Sequence, residues 1–308
     1  MNRISTSVLY SHLVQSLASA QLRQQEAGDQ VSSEKKATDL KGFSGNAETL
    51  VGMQSVRNRL AGLIEQGQLT DNRLSMQEIA LGRLEEASTG ARTAIADALA
   101  AGRSEGLMQQ LRGFFSDSVT ALNSKHDGKY MFAGGAVDTQ PVTASTMSDL
   151  TSGPPISDFF ENDRFPVTNR LDETTTIDSG MLADDLGTGV MTAFQSIQAY
   201  IDANGAFSDT LTNAQRTFLE GMLPSFETEA NNFIDANARN GLMRRRAEDV
   251  ATDLQGRQDT LEGLMGNITN VDMAEAITRL QQAQLSVQAS AQVFTALQGS
   301  SLLALLQG

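Results

Sequence analysis

Apolar residues recur at both ends of the chain with a spacing that gathers them on one side of a helix. Tyr10, Leu13, Leu17, Ala20, Gln24, Ala27 and Val31 follow one another in steps of 3 and 4, the a/d seam of a heptad repeat. Near the other end, Met273, Ile277, Leu280, Gln284, Val287, Ala291 and Phe294 use the same steps. Each seam predicts a helix that pairs with another helix, and two matched seams predict that the ends lie together as a coiled coil. One glutamine interrupts each seam, and a polar residue there can fix register at some expense of stability. Both helices are only about three heptads long, a length at which an isolated helix is marginal in water. A buried leucine contributes roughly 1.5–3 kcal/mol and an alanine far less. The seams therefore read as thin surfaces that neighbouring copies complete.

Helical rhythm also marks the interior. Leu74, Leu81, Leu84, Ala91, Ile95 and Ala98 keep a seven-residue period, with Gln77 and Ser88 filling its gaps, and Leu107, Leu111, Phe114, Ser118 and Leu122 form a second run. Asp127-Gly128 predicts a turn into a short strand at Tyr130. Downstream helices are expected over 189–203, 211–237 and 239–266, with breaks at Gly205, Gly241 and Asn267 and with Pro224 starting or kinking a helix. Between these flanks the pattern changes. Residues 133–187 hold four of the five prolines and ten Asp or Glu against two arginines, and Thr, Gly and Ser clusters replace helical spacing. This predicts a mainly α chain with nested layers. Residues 1–48 plus 267–308 would form a terminal coiled-coil assembly domain and 49–132 plus 188–266 a helical rod domain. Residues 133–187 would be a small β-rich or irregular insert exposed at the surface.

Composition narrows the function. With no tryptophan and 3 tyrosines in 308 residues, contacts must come from helix stripes more than from aromatic-lined pockets. A net charge of −14 leaves no basic face for nucleic acid. Arg244-Arg245-Arg246 is the one dense basic cluster, and Glu248 and Asp249 stand at i,i+4 from its first two members. It reads as a solvated face, with a partner-docking patch as the alternative. Cysteine is absent, which removes disulfides, thiolate nucleophiles and cysteine metal ligands. His12 and His126 are far apart in sequence, His12 beside the seam and His126 at an expected helix C-terminus, so no histidine metal site is expected. Phosphate-loop, dinucleotide, nucleophile-elbow and EF-hand spacings do not occur. The expectation is a non-enzymatic protein with no cofactor and no metal. No window approaches 18 apolar residues, so no transmembrane helix is expected, and the opening Met1–Ser7 has no apolar signal core, so any export would use a route without signal cleavage.

The ends also carry a resemblance. Arg3-Ile4-Ser5-Thr6-Ser7 with the helix into Val31-Ser32-Ser33, and Val271-Asp272-Met273-Ala274-Glu275-Ala276 leading to Leu302–Leu306, are similar to the terminal regions of the flagellin family. Gly128-Lys129-Tyr130-Met131-Phe132-Ala133-Gly134-Gly135 resembles the hook–filament junction members of that family. The chain departs from the family where a glycine and a basic residue usually follow Ser33 and Glu34 and Lys35 stand instead, and again at Leu40–Asn46. The resemblance implies a flagellin-like fold and a structural subunit of the bacterial flagellum, extracellular, joining hook to filament. Its implied partners are copies of itself, a hook-associated protein on the hook side, flagellin on the filament side and a cytoplasmic export chaperone. A filament flagellin is the competing reading. A secreted helical effector or hydrolase using the insert as its active lobe is a third.

Overall fold

The computed structural model describes residues 3–306, with side chains at Val8 and over 11–296. In chain order the elements are α1 (Arg3–Ser33), α2 (Ala47–Ala101), α3 (Leu107–Leu122), β1 (Lys125–His126), β2 (Lys129–Tyr130), β3 (Thr168–Arg170), β4 (Thr176–Asp178), α4 (Ala183–Asn204), α5 (Asn213–Thr269) and α6 (Met273–Leu306). The chain is mainly helical, with two small antiparallel hairpins, β1–β2 and β3–β4. It divides into two compact units. One comprises residues up to 59 together with those from 257 onward, and the other spans 60–256, so α2 and α5 contribute to both.

In the central unit the periodic stripe of α2 is the spine. Leu74, Leu81, Leu84, Ala91 and Ile95 are buried, and so are the two polar members Gln77 and Ser88. On α3 the buried aromatic is Phe115, while Phe114 is half-buried beside it. Phe194 of α4 meets Phe115 and Phe226 edge-on, at centroid distances of 5.6 and 5.1 Å, an arrangement that ring quadrupoles favour. Helix α5 runs unbroken through Gly241 and Asn267, contrary to the breaks expected there, and holds Pro224 in its interior, so Pro224 does not start a helix. Glu220 and Pro224 are both exposed, so the turn that loses a backbone hydrogen bond lies on the solvent side of the helix. A glycine inside a helix costs only about 1 kcal/mol. Helix α4 begins at Ala183, several residues before its expected start, with Asp184 and Asp185 in its first turn. Gly205 ends it, at φ +81°.

Helices α2 and α5 are tied by polar contacts within this unit. The buried Asn240 amide donates to the Leu74 carbonyl at 2.7 Å. Arg244 spans from α5 to Asp71 at 3.0 Å and Glu78 at 2.5 Å on α2, and also reaches Glu248 at 3.8 Å. Those cross-helix carboxylates occupy Arg244 before any solvated face can form.

The segment 133–187 lies within this unit and is sewn to its helices. Its Val142, Ala144, Met147 and Leu150 join the main apolar core, as do Met131 and Phe132 just before it. Asn123 at the end of α3 pairs its amide with both backbone groups of Val142, each at 2.9 Å. The β3–β4 hairpin sets Leu171 and Ile177 against Leu74 and Ala247, and Gln77 donates to the Ser179 carbonyl at 3.0 Å. His126 sits in β1, not at a helix C-terminus, because Asp127 and Gly128 both take positive φ (50° and 77°) and turn the chain straight into β2.

Candidate assembly surface

Helices α1 and α6 pack on one another in the terminal unit. They are joined at their base, where residues 34–36 meet 269–271. Glu34 leaves α1 with φ at +57°, the left-handed conformation that commonly ends a helix. The chain then forms an antiparallel bridge between Lys35 and Asn270. The Lys36 N–H donates to the Thr269 carbonyl at 2.8 Å and the Val271 N–H to the Glu34 carbonyl at 3.0 Å. Lys36 Nζ donates to the carbonyls of Asn267 at 3.2 Å and Ile268 at 2.9 Å, placing a cation on the last turn of α5 where the helix dipole favours it. Asp272 opens α6 by accepting from the N–H groups of Ala274 at 2.9 Å and Glu275 at 3.3 Å. With α1 arriving at this joint and α6 leaving it, the two helices run antiparallel.

The described seam side chains of α1 are less exposed than most of their neighbours. Ala20 and Ala27 are buried, and Leu13, Leu17, Gln24 and Val31 are half-buried. The side chain of Tyr10 lies outside the described residues. His12 is exposed beside them. On α6 the placement differs. Met273, Leu280, Val287 and Phe294 are half-buried, but Ile277 is 43 % exposed and Gln284 and Ala291 are exposed as well. The residues one position earlier, Ala276, Ala283 and Ser290, take the inner side instead, with Ala276 fully buried. Both columns satisfy the 3,4 spacing. The small column is the more deeply buried, as Ala20 and Ala27 are on α1, and Ala27 and Ala283 line the same groove between the helices. Sequence spacing alone could not distinguish them; the matching run of alanines in α1 was the available signal.

The result is a pair whose interior is small and whose exterior is greasy. Among the described residues of the terminal unit, the fully buried apolar side chains are four alanines and Leu50. Large apolar side chains remain outside: Val14 and Leu22 on α1, Val51 and Val56 on α2, Ile277, Leu285 and Val293 on α6. Leu22 and Leu285 are 60 and 65 % exposed. An exposed leucine alone means little, but several large apolar side chains on three helices around an alanine interior make this the candidate surface for contacts. A shallow groove of about 320 Å³ crosses the pair between Arg23, Gln30, Arg279 and Ser286, and Arg279 is held by Glu275 at 2.5 Å. Among the described residues no group of three His, Cys, Asp or Glu could hold a metal ion, and no helix is long and apolar enough to cross a membrane.

Comparison with known proteins bears on this surface. Residues 225–306, which include all of α6 described above, match the bacterial flagellin C-terminal helical region. The fold is similar to that of a protein from Vibrio parahaemolyticus assigned as a flagellar hook-associated protein, with a TM-score of 0.60 and 15 % identity, over 72 % of this chain and 96 % of that one. It is also similar to FlgL of Bacillus cereus, with a TM-score of 0.53 and 15 % identity, over 71 % of this chain and 99 % of that one. No curated protein matches the sequence.

Proposed function

We infer that this chain, flagellin-family in its C-terminal helical region and sharing the fold of flagellar hook-associated proteins, is a structural subunit of the bacterial flagellum. Its place is the junction between hook and filament, where it is seated on a hook-associated protein and presents a surface to flagellin. It assembles through α1 and α6. The observation that carries this reading is the inverted terminal unit, with alanines inside and large apolar residues outside. Burying apolar surface yields about 25 cal/mol per Å², so such a unit gains more from neighbouring subunits than from its own interior. A contact between two different faces repeats from copy to copy, which builds an array of many subunits instead of a two-fold dimer. Until export, the same surface calls for a cytoplasmic chaperone. The role is structural, outside the cell, and involves no cofactor.

Deletion of the gene, followed by electron microscopy of the cell surface, tests the placement. Hooks without filaments, with flagellin shed into the medium, are the expected result. Normal hooks and filaments in the deletion strain would overturn it. Loss of the filament with no shed flagellin would reassign the chain as the filament subunit.

A further inference from the structure

Asparagine followed by glycine is a reactive step, because glycine has no side chain to keep its own nitrogen from the asparagine side chain. The sequence holds two such steps, Asn204-Gly205 and Asn240-Gly241. In an unfolded chain they are chemically alike, and the fold separates them.

Asn240 is locked. It is fully buried in the interior of α5, and its Nδ2 donates to the Leu74 carbonyl at 2.7 Å. Gly241 lies in the same helix far from either end, so its nitrogen is committed to the helical ladder. Bringing that nitrogen to the Asn240 side chain requires opening α5 and its buried contact with α2 together. An opening of that kind costs a large share of the stability of the unit.

Asn204 is the last residue of α4, and Gly205 follows with φ at +81°. Both are exposed, as are Asp202 and Ala203 before them. The step is held by the Gly205 N–H on the Ile201 carbonyl at 2.8 Å and by Asn204 Nδ2 on the Tyr200 carbonyl at 2.9 Å. Both bonds belong to a terminal turn, where fraying costs little. Beyond the step the chain is anchored again. Buried Phe207 stacks on Tyr200, and the Leu211 N–H donates to the Gly102 carbonyl at 3.0 Å. Opening is therefore confined to the turn around Gly205 and leaves the core in place.

We propose that Asn204 is a site of self-modification, at which the Gly205 nitrogen attacks Asn204 Cγ and displaces its amide. The new N–Cγ bond closes a succinimide ring as the Cγ–Nδ2 bond breaks, and Nδ2 leaves as ammonia with the proton lost by the glycine nitrogen. Water then opens the ring at either carbonyl, giving aspartate or isoaspartate. Either product places a negative charge at the C-terminal end of α4, where the helix dipole disfavours it, and neither carboxylate can donate to Tyr200 as the amide does. The last turn of α4 therefore loosens once the reaction is complete.

Full-length protein kept at mildly alkaline pH, beside the same chain unfolded in guanidinium chloride, tests this by peptide mapping with mass spectrometry. In guanidinium chloride Asn204 and Asn240 should convert at comparable rates. In the folded chain Asn204 should convert at least about tenfold faster than Asn240, because its opening is local. Fragmentation should show isoaspartate at 204, and amide exchange at Gly205 should be faster in the converted fraction. Asn204→Gln, whose longer side chain cyclises far more slowly, should remove the product without changing the far-ultraviolet circular dichroism. Equal conversion of the two asparagines in the folded chain would overturn the proposal. So would conversion of both in guanidinium chloride with none at Asn204 in the folded chain.

Discussion

The Val271 N–H donates to the Glu34 carbonyl across the joint between α1 and α6, and Glu34 reaches that position only by adopting a φ of +57°. A side chain in the left-handed region costs roughly 1–2 kcal/mol, whereas glycine enters it freely and loses about 0.5–1 kcal/mol through its unfolded-state entropy. Glu34→Gly should therefore stabilise the terminal unit by about 0.5–1 kcal/mol. A higher midpoint in urea, followed by far-ultraviolet circular dichroism, checks this. A lower midpoint would mean that the Glu34 side chain supplies more than its backbone costs.

Asp163 joins two loops through one carboxylate oxygen, accepting from Gly135 and Phe165. Hydrogen bonds to a charged acceptor contribute roughly 1.5–3 kcal/mol, less where water competes. Asp163→Ala should cost about 1–2 kcal/mol and speed amide exchange at Gly135 and Phe165 while leaving α2 and α5 protected. Unchanged exchange at both amides would show that the loops stand without this tie.

Much of the fold was legible because long helices repeat their signal. The α2 stripe could be followed from Leu74 to Ala98, and its polar members Gln77 and Ser88 proved as buried as the leucines. Errors arose where two adjacent positions satisfy the same period. Phe114 and Phe115 differ by one residue, as do Ile277 and Ala276, and spacing alone favours neither. The β3–β4 hairpin left almost no trace, since only Leu171 and Ile177 of its residues are buried, too few to show alternation. Pro224 does not start a helix because it and Glu220 lie on the exposed side of α5, where losing one backbone hydrogen bond is tolerated. The strain at Glu34 was foreshadowed, because glycine was the residue expected there.

Glu229 on α5 is partly buried, with Gly189 of α4 packed against its carboxylate. Burial raises its pKa above the ordinary 4.5, and the amide of Asn232 at 3.4 Å offsets this only in part. A raised folded pKa means that the native state holds a proton the unfolded chain has already released. Stability therefore falls as pH rises from the ordinary value through the folded one, and stays lower above it. Glu229→Gln removes that loss. Its Tm should exceed the wild type's at pH 7 and converge with it below the ordinary value of 4.5. Equal Tm at both pH values would show that the carboxylate is adequately solvated.

The two columns of α6 separate folding from assembly. Ala276 is fully buried, whereas Ile277 beside it is 43 % exposed. Forcing a larger side chain into a packed site costs typically about 1–3 kcal/mol. Ala276→Leu should therefore splay the α1–α6 pair and lower the helicity and melting point of the isolated chain. Ile277→Asp changes a side chain on the more exposed side of α6, and an acidic residue near the start of a helix is tolerated by its dipole. Its isolated chain should melt like the wild type. In an array, however, the same carboxylate would be buried against a neighbour without a partner, a cost of several kcal/mol per contact. Ile277→Asp should therefore block polymerisation and abolish motility while leaving the monomer intact. Circular dichroism, sedimentation and a swarming assay on the same pair of variants decide the matter. If Ile277→Asp polymerises normally, the outer face of α6 is not where copies meet; if Ala276→Leu leaves the melt unchanged, the alanine column is not what holds the pair.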